Sequence, residues 1–279
     1  MKISYDFNLK NQENDCVYLI NRDRERNLLK IFDPKTYLEA ERTFDLSFED
    51  FYIPDCQNIL IDKEIFCFGN RASFILNIET LNTVLIIKDW LWNCDLAGIA
   101  YLNNCIYLFL LVKEISSYSC ITEKYDLASH RWTKVANCPL ESAMYFCLTF
   151  RNNILIYNHS PTIFQYDENI NSYSILFEMV KDSSKIIVSG NSKLFIIESK
   201  GRIYESDAEN QYKFIYIGDS NINFDFIKLS LANFQNDIYF GLITRNYFQR
   251  TYSYSYYRLG LKEKRVEKIN TKIWNCYIN

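Results

Sequence analysis

Glycine and proline are scarce in this chain of 279 residues, at 7 and 4, and histidine occurs only twice, at His130 and His159. So little glycine excludes a collagen-like chain and leaves no glycine-rich loop of the kind that cradles phosphates. Two histidines, and no cysteines at C-x-x-C spacing, argue against a zinc site. Basic charge is not in excess either. Lys and Arg number 31 against 34 Asp and Glu, a net charge of −3, which argues against nucleic acid as the main partner. Long apolar runs are missing: the most hydrophobic stretch, 84–91, is broken by Lys88 and Asp89, far short of the ~18–20 residues of a membrane helix. Membrane insertion is not expected. The first fifteen residues alternate Ile3, Tyr5, Phe7 and Leu9 with polar neighbours, and they lack the ~7–15-residue apolar core of a secretory signal. Nine cysteines, an odd number without such a signal, read as reduced thiols in a cytoplasmic protein, most of them small core residues. No cofactor or metal is expected.

Aromatic residues, in contrast, are plentiful, with 22 Tyr and 20 Phe, and 48% of the chain is hydrophobic. Six times a polar, turn-like cluster is followed by a short apolar run. The runs are CVYLI at 16–20, IFCF at 65–68, IYLFL at 106–110, ILIY at 154–157, LFII at 194–197 and IYFGL at 238–242. The markers Val17, Ile65, Ile106, Ile154, Leu194 and Ile238 are spaced by 48, 41, 48, 40 and 44 residues. That period lies in the ~40–50-residue range of propeller blades. Downstream of each run comes a second unit: an apolar strand, a polar turn and another strand. In it Tyr125 and Trp132 are seven residues apart, as are Tyr166 and Tyr173.

Physically, each repeat is a four-stranded antiparallel meander whose apolar faces must both be covered by neighbours. One such sheet cannot bury two faces alone, and closing the sheets into a ring covers them and protects their edges. No stretch shows a sustained helical period, so almost no helix is expected. The expected fold is all-β, a six-bladed β-propeller of four-stranded antiparallel blades in one domain. The expected blades are roughly 1–52, 53–95, 96–141, 142–180, 181–220 and 221–279. Residues 2–9 are expected to form the first strand of the first blade, leaving 273–278 as a surplus C-terminal strand. The alternative is a ring sealed by one terminus completing the other's sheet.

The segment 120–140, CITEKYDLASHRWTKVANCPL, resembles the second half of a Kelch repeat, with Tyr125, Asp126, Trp132 and Pro139 matching its tyrosine, aspartate, tryptophan and trailing proline. Residues 164–173 match through Tyr166, Asp167 and Tyr173, and Phe32-Asp33-Pro34 is a fainter copy. The repeat's double glycine after the second strand is represented only by Gly69. Other copies carry Asn21-Arg22, Val112-Lys113 or Asn158-His159 there, so the turn must be made without glycine.

No catalytic constellation stands out: G-x-S-x-G, H-E-x-x-H and a local Cys–His dyad are all absent. His130 reads as an exposed turn residue. Trp90 and Trp92 read as packing at a blade junction. In a meander the strand 2–3 and 4–1 connections emerge on one face, and these are the longer ones, including 21–27, 69–72, 113–119, 244–251, 47–56 and 88–95. Arg22, Arg24, Arg71, Arg245 and Arg250 gather on this face with Tyr247 and Phe248. Arginine recognises carboxylates in two-pronged fashion, and aromatics beside arginine are typical binding anchors. Asp23 and Glu25 alternate with Arg22, Arg24 and Arg26, which belongs to the same set, so a self-neutralised solvated loop is the competing reading. Resemblance to Kelch propellers implies docking of partner peptides on this face. The leading expectation is therefore a non-catalytic protein–protein interaction module or scaffold that takes a partner subunit or an acidic peptide. The alternatives are a structural subunit of a large assembly and, third, a propeller enzyme acting on a sugar or small molecule.

Overall fold

A computed structural model describes residues 16–23, 26–33, 38–46, 57–69, 73–86, 94–113, 118–140, 146–158, 160–178, 185–190, 193–198, 202–206, 213–219, 226–234, 237–246 and 251–274. These residues fold into six antiparallel sheets, and none of them is helical. The first sheet holds β1 (Val17–Asp23), β2 (Arg26–Asp33) and β3 (Leu38–Phe44). The second holds β4 (Gln57–Ile61), β5 (Glu64–Phe68), β6 (Ser73–Asn77) and β7 (Thr83–Ile86). The third runs β8 (Cys94–Leu102), β9 (Cys105–Lys113), β10 (Tyr118–Asp126) and β11 (Arg131–Val135). The fourth is β12 (Phe146–Phe150), β13 (Asn153–Tyr157), β14 (Thr162–Asp167) and β15 (Ser172–Glu178). The fifth is β16 (Lys185–Gly190), β17 (Lys193–Glu198), β18 (Arg202–Ser206) and β19 (Phe214–Asp219). The sixth is β20 (Phe226–Phe234), β21 (Asp237–Asn246), β22 (Thr251–Gly260) and β23 (Arg265–Trp274).

Every sheet is a meander of strands consecutive in the chain, and together the sheets make an all-β propeller. First strands pack side by side: β4 on β8, β8 on β12, β12 on β16, β16 on β20. The ring closes where β20 meets β1, strands from opposite ends of the chain. Elsewhere the first strand of one blade also touches the second strand of the next, β8 with β13 and β16 with β21. The β20–β1 contact has the same form, which puts β1 in the second position of its blade.

The count of four-stranded blades corrects the expected architecture. Among the described residues five blades have four strands, rather than six, and the first sheet has three. The expected first strand at 2–9 lies outside the described residues. Ile273 and Trp274 belong to β23 rather than to a surplus strand, and the third sheet starts at Cys94, inside the expected second blade.

Middle strands are buried on both faces, as in β5, β13 and β17, because a blade stands on either side. Fourth strands face solvent and keep partial exposure, as in β7, β11, β15 and β19. Large side chains cross the junctions. One core cluster joins Phe66 and Phe68 of the second sheet to Tyr101 and Leu108 of the third. Another joins Tyr107 of the third to Tyr166 of the fourth, ring centroids 5.7 Å apart. A third runs from Tyr157 through Phe195 to Leu259 across three sheets. The outer strands that these junctions leave as edges are blunted in different ways. A residue is skipped in the ladder of β15 (Leu176), β19 (Ile217) and β23 (Ile269), an irregularity that bends an edge away from other strands. The edge strand β11 carries Arg131 and Lys134, and β7 is only 4 residues long.

The turns show how the fold manages with little glycine. Asn103 and Asn104 (φ 48° and 62°), and Arg151 and Asn152 (φ 48° and 60°), hold consecutive left-handed conformations in two-residue hairpins, the geometry that suits the twist of adjacent strands. Asparagine tolerates this region better than most residues. The third-to-fourth strand turns repeat a fuller design. Asp126 Oδ1 accepts from the amides of Ala128 (2.9 Å) and Ser129 (2.8 Å), and Asn77 Oδ1 does the same for Glu79 and Thr80 (both 3.0 Å). The Tyr166 hydroxyl donates to Asn171 Oδ1 at 2.9 Å, and Tyr125 meets His130 Nδ1 at 3.0 Å, with both partners at positive φ. The residues seven apart face each other across the strand pair: Tyr125 stacks near Trp132 at 4.6 Å and Tyr166 near Tyr173 at 5.0 Å. Exposed Asn152 tests the turn argument. Replacing it with glycine is expected to hold or raise the melting temperature, whereas Asn152→Val is expected to cost about 1–2 kcal/mol in thermal unfolding.

Candidate functional site

Successive strands reverse direction, so one end of the ring carries the strand 2–3 and 4–1 connections and the other carries the two kinds of short turn. At the first end the strands run further than expected. Arg22 is inside β1, paired with Asn27, and Arg245 is inside β21, paired with Tyr252. The expected loops at 21–27 and 244–251 shrink to 24–25 and 247–250, because ladder pairing continues almost to the hairpin tips. Arg24, Arg71, Tyr247, Phe248 and Arg250 lie outside the described residues, as do Trp90, Trp92 and His159.

Closure gives these positions a spatial order that the sequence hides. With β20 packed on β1, the hairpin β21–β22 of the sixth sheet and the hairpin β1–β2 of the first are on neighbouring blades. The second sheet follows next. Phe44 and Phe74 rings lie 6.2 Å apart across that junction, and Thr83 Oγ1 donates to the Asp45 carbonyl at 3.1 Å. The backbone therefore places Arg22 and Arg245 on adjacent blades at the same end.

Buried polar atoms without a hydrogen-bond partner among the described residues collect at this end too. They include Asn27 Oδ1 where β2 begins, Gln57 Oε1 where β4 begins, Ser73 Oγ where β6 begins and Ser160 Oγ between β13 and β14. Groups of this kind call for water or a ligand, since leaving them unsatisfied costs about 1–3 kcal/mol each. Lys185, the first residue of β16, is 1% exposed and donates to the Ser160 carbonyl. Sequence reading missed it. The only available signal was a lysine opening the apolar run KIIV, which reads equally well as a solvated strand end.

The opposite end holds a charged lock between the third and fourth blades. Glu168, in the turn before β15, accepts from Lys124 Nζ of β10 and from Asn103 Nδ2 at 2.7 Å. Burial alone would raise the Glu168 carboxyl, but its hydrogen bond from Lys124 and those from its other neighbours outweigh burial and hold it below its usual value. Burial alone would likewise lower Lys124, and the Glu168 carboxylate more than offsets it. Tyr107 lies beside them, kept protonated by burial first and by the same carboxylate. Burial also pushes the Cys105 thiol up, the opposite of what activates a nucleophile. The group joins the third and fourth blades. His130, bonded to Tyr125, likewise serves its turn. No group of three or more His, Cys, Asp or Glu suited to a metal occurs among the described residues.

Neither a protein-family model nor a curated protein sequence matches this chain. Solved structures do. The structure of YjhT superposes with a TM-score of 0.58 at 10% sequence identity, covering 77% of this chain and 83% of the other. At that identity the likeness extends to the fold alone.

The Glu168 lock carries a pH signature. Folding lowers this carboxyl's pKa, so its contribution is complete above the ordinary carboxylate range and fades as pH falls through the folded value. Glu168→Gln is expected to cost about 1–3 kcal/mol at pH 7, and to flatten the acid limb of stability in denaturant titrations below about pH 5.

Proposed function

We propose that this chain is a Kelch-type propeller of six blades acting in the cytoplasm as a non-catalytic interaction module. It docks an acidic peptide segment of a partner protein through the end of the ring that carries the strand 2–3 and 4–1 connections. One observation carries the reading. Packing of β20 on β1 makes neighbours of two hairpins from opposite ends of the chain, and so brings the backbone positions of Arg22 and Arg245 to adjacent blades at one end. Arginine forks suit carboxylates, and two of them on adjacent blades favour an extended acidic segment over a single small anion. Unsatisfied Gln57, Ser73 and Ser160 atoms at the same end add neutral hydrogen-bonding capacity to it. The Kelch assignment itself rests on the Tyr-Asp…Trp pattern of 125–132 and its weaker copy at 166–173.

A second reading, a structural subunit of a larger assembly, draws on the outer strands. Ile175 of β15 is 61% exposed, and Ile215 and Tyr216 of β19 are 51% and 53% exposed. Apolar side chains standing out on adjacent blades are suited to lateral packing.

The triple variant Arg22→Ala, Arg71→Ala, Arg245→Ala separates the two. Affinity purification of the full chain with cross-linking mass spectrometry is expected to place the partner at the arginine end. Capture by the variant is expected to fall tenfold or more, with an unchanged melting temperature. Undiminished capture, or cross-links confined to β15 and β19, would favour the lateral reading.

A further inference from the structure

Cysteines gather in the buried cluster where the third blade meets the fourth: Cys105 of β9, Cys120 of β10, Cys138 in the connection after β11, and Cys147 of β12. We propose that Cys120 and Cys138 are a redox pair, which hydrogen peroxide converts to a reversible disulfide that clips the outer hairpin of the third blade. Contact between the two sulfurs is the first argument. The Cys138 thiol donates a hydrogen bond to Cys120 Sγ, and Cys120 directs its own proton to the Ile121 carbonyl at 4.0 Å. Cys105 instead turns its thiol to Asp126 Oδ2 at 3.9 Å and so belongs to the turn. Placement is the second argument. The β10–β11 ladder ends at the pair Thr122 and Val135, so Cys138 sits past the last pair, beside the part of β10 that β11 leaves unpaired. The chain is held on both sides of that sulfur. The Ala136 amide donates to Asn171 Oδ1 of the fourth blade at 2.8 Å, and Leu140 is buried in the same cluster. Closing the sulfurs to the ~2.05 Å of a disulfide falls to a side chain outside any strand.

The hydrogen bond also assigns the roles. Donation to Cys120, and then burial, keep the proton on Cys138, whereas an accepted hydrogen bond favours the Cys120 thiolate. Cys120 is therefore the attacking sulfur and Cys138 the resolving one. The Cys120 thiolate attacks one peroxide oxygen. An S–O bond forms, the O–O bond breaks, and the departing hydroxide takes up the Cys120 proton as water. Cys138 then attacks the Cys120 sulfenic acid. The S–S bond forms, the S–O bond breaks, and the hydroxyl leaves with the Cys138 proton as a second water. The two sulfurs give up two electrons to the peroxide, and a small dithiol returns them. Both cysteines are 5% exposed, which favours a water-sized oxidant over a bulky disulfide. In a reducing compartment such a bond is transient and reports oxidation. The inference needs neither the arginine end nor a partner.

Peptide mapping of the full-length protein tests it. Cys147→Ala serves as background, because Cys138 and Cys147 share one tryptic peptide, and the unaltered chain repeats the result with the link located by fragmentation. After hydrogen peroxide and alkylation of the remaining thiols, a Cys120–Cys138 link is expected in most molecules, and dithiothreitol is expected to remove it. The oxidised form is expected to melt at least about 3 °C above the reduced form, since the bond closes a loop in the unfolded chain. In Cys138→Ala, dimedone is expected to trap sulfenic acid on Cys120 about fivefold or more above the chain that keeps Cys138. Links dominated by another pair, or oxidation seen only after denaturant is added, would overturn the pairing. A link that leaves the melting temperature unchanged or lower would overturn the clip, and equal dimedone labelling with and without Cys138 would overturn the roles.

Discussion

Everything in this molecule depends on sheets that have two apolar faces and no way to cover them alone. The middle strands, such as Glu64–Phe68 and Asn153–Tyr157, are buried along almost their whole length. A strand of that kind gains stability only when a second sheet presses on each side, at roughly 25 cal/mol per Å² of apolar surface removed from water. An open stack would leave two apolar faces wet at its ends. A ring leaves none, and the β20–β1 contact is that closure. Aromatic side chains such as Tyr107, Tyr157 and Tyr166, all at most 2% exposed, fill the wedge-shaped space between blades.

Closure also creates the proposed functional surface. Residues near 22 and near 245 have no reason to be associated in the linear chain. Their hairpins become neighbours because the last blade packs on the first. The positions of Arg22 and Arg245, far apart in sequence, thereby come to adjacent blades at one end. The opposite end is occupied by short, internally bonded turns and by the Lys124–Glu168–Asn103 lock. The longer connections of the proposed recognition end are those between blades, of six residues or more, against two-residue turns between first and second strands at the opposite end.

Fold class was legible because the hydrophobic period survives where the motif does not. Six apolar runs recur at about 44-residue spacing, and their markers Val17, Ile65, Ile106, Ile154, Leu194 and Ile238 fall within β1, β5, β9, β13, β17 and β21. The aromatic residues spaced seven apart are cross-strand partners, Tyr125 with Trp132 and Tyr166 with Tyr173. Strand number was harder to read. The strand expected at 2–9 falls outside the described residues, and the first sheet is described with three strands. Loop bounds failed for another reason. Arg22 and Arg245 are polar residues in ladder positions, and hydropathy cannot tell a solvated strand end from a loop. Lys185 and Glu168 were illegible because their meaning lies in partners far along the chain, the Ser160 carbonyl and Lys124.

The central claim is a closed ring in which the sixth sheet lies against the first. Spin labels on β1 at Arg22 and on β21 at Thr244, measured by pulsed dipolar spectroscopy, test it most directly. A closed ring predicts one narrow distance on the order of 10–20 Å, the spacing of packed neighbouring sheets with label arms added. A broad distribution centred at several times that spacing would mean an open arc, and it would contradict both the architecture and the surface built on it.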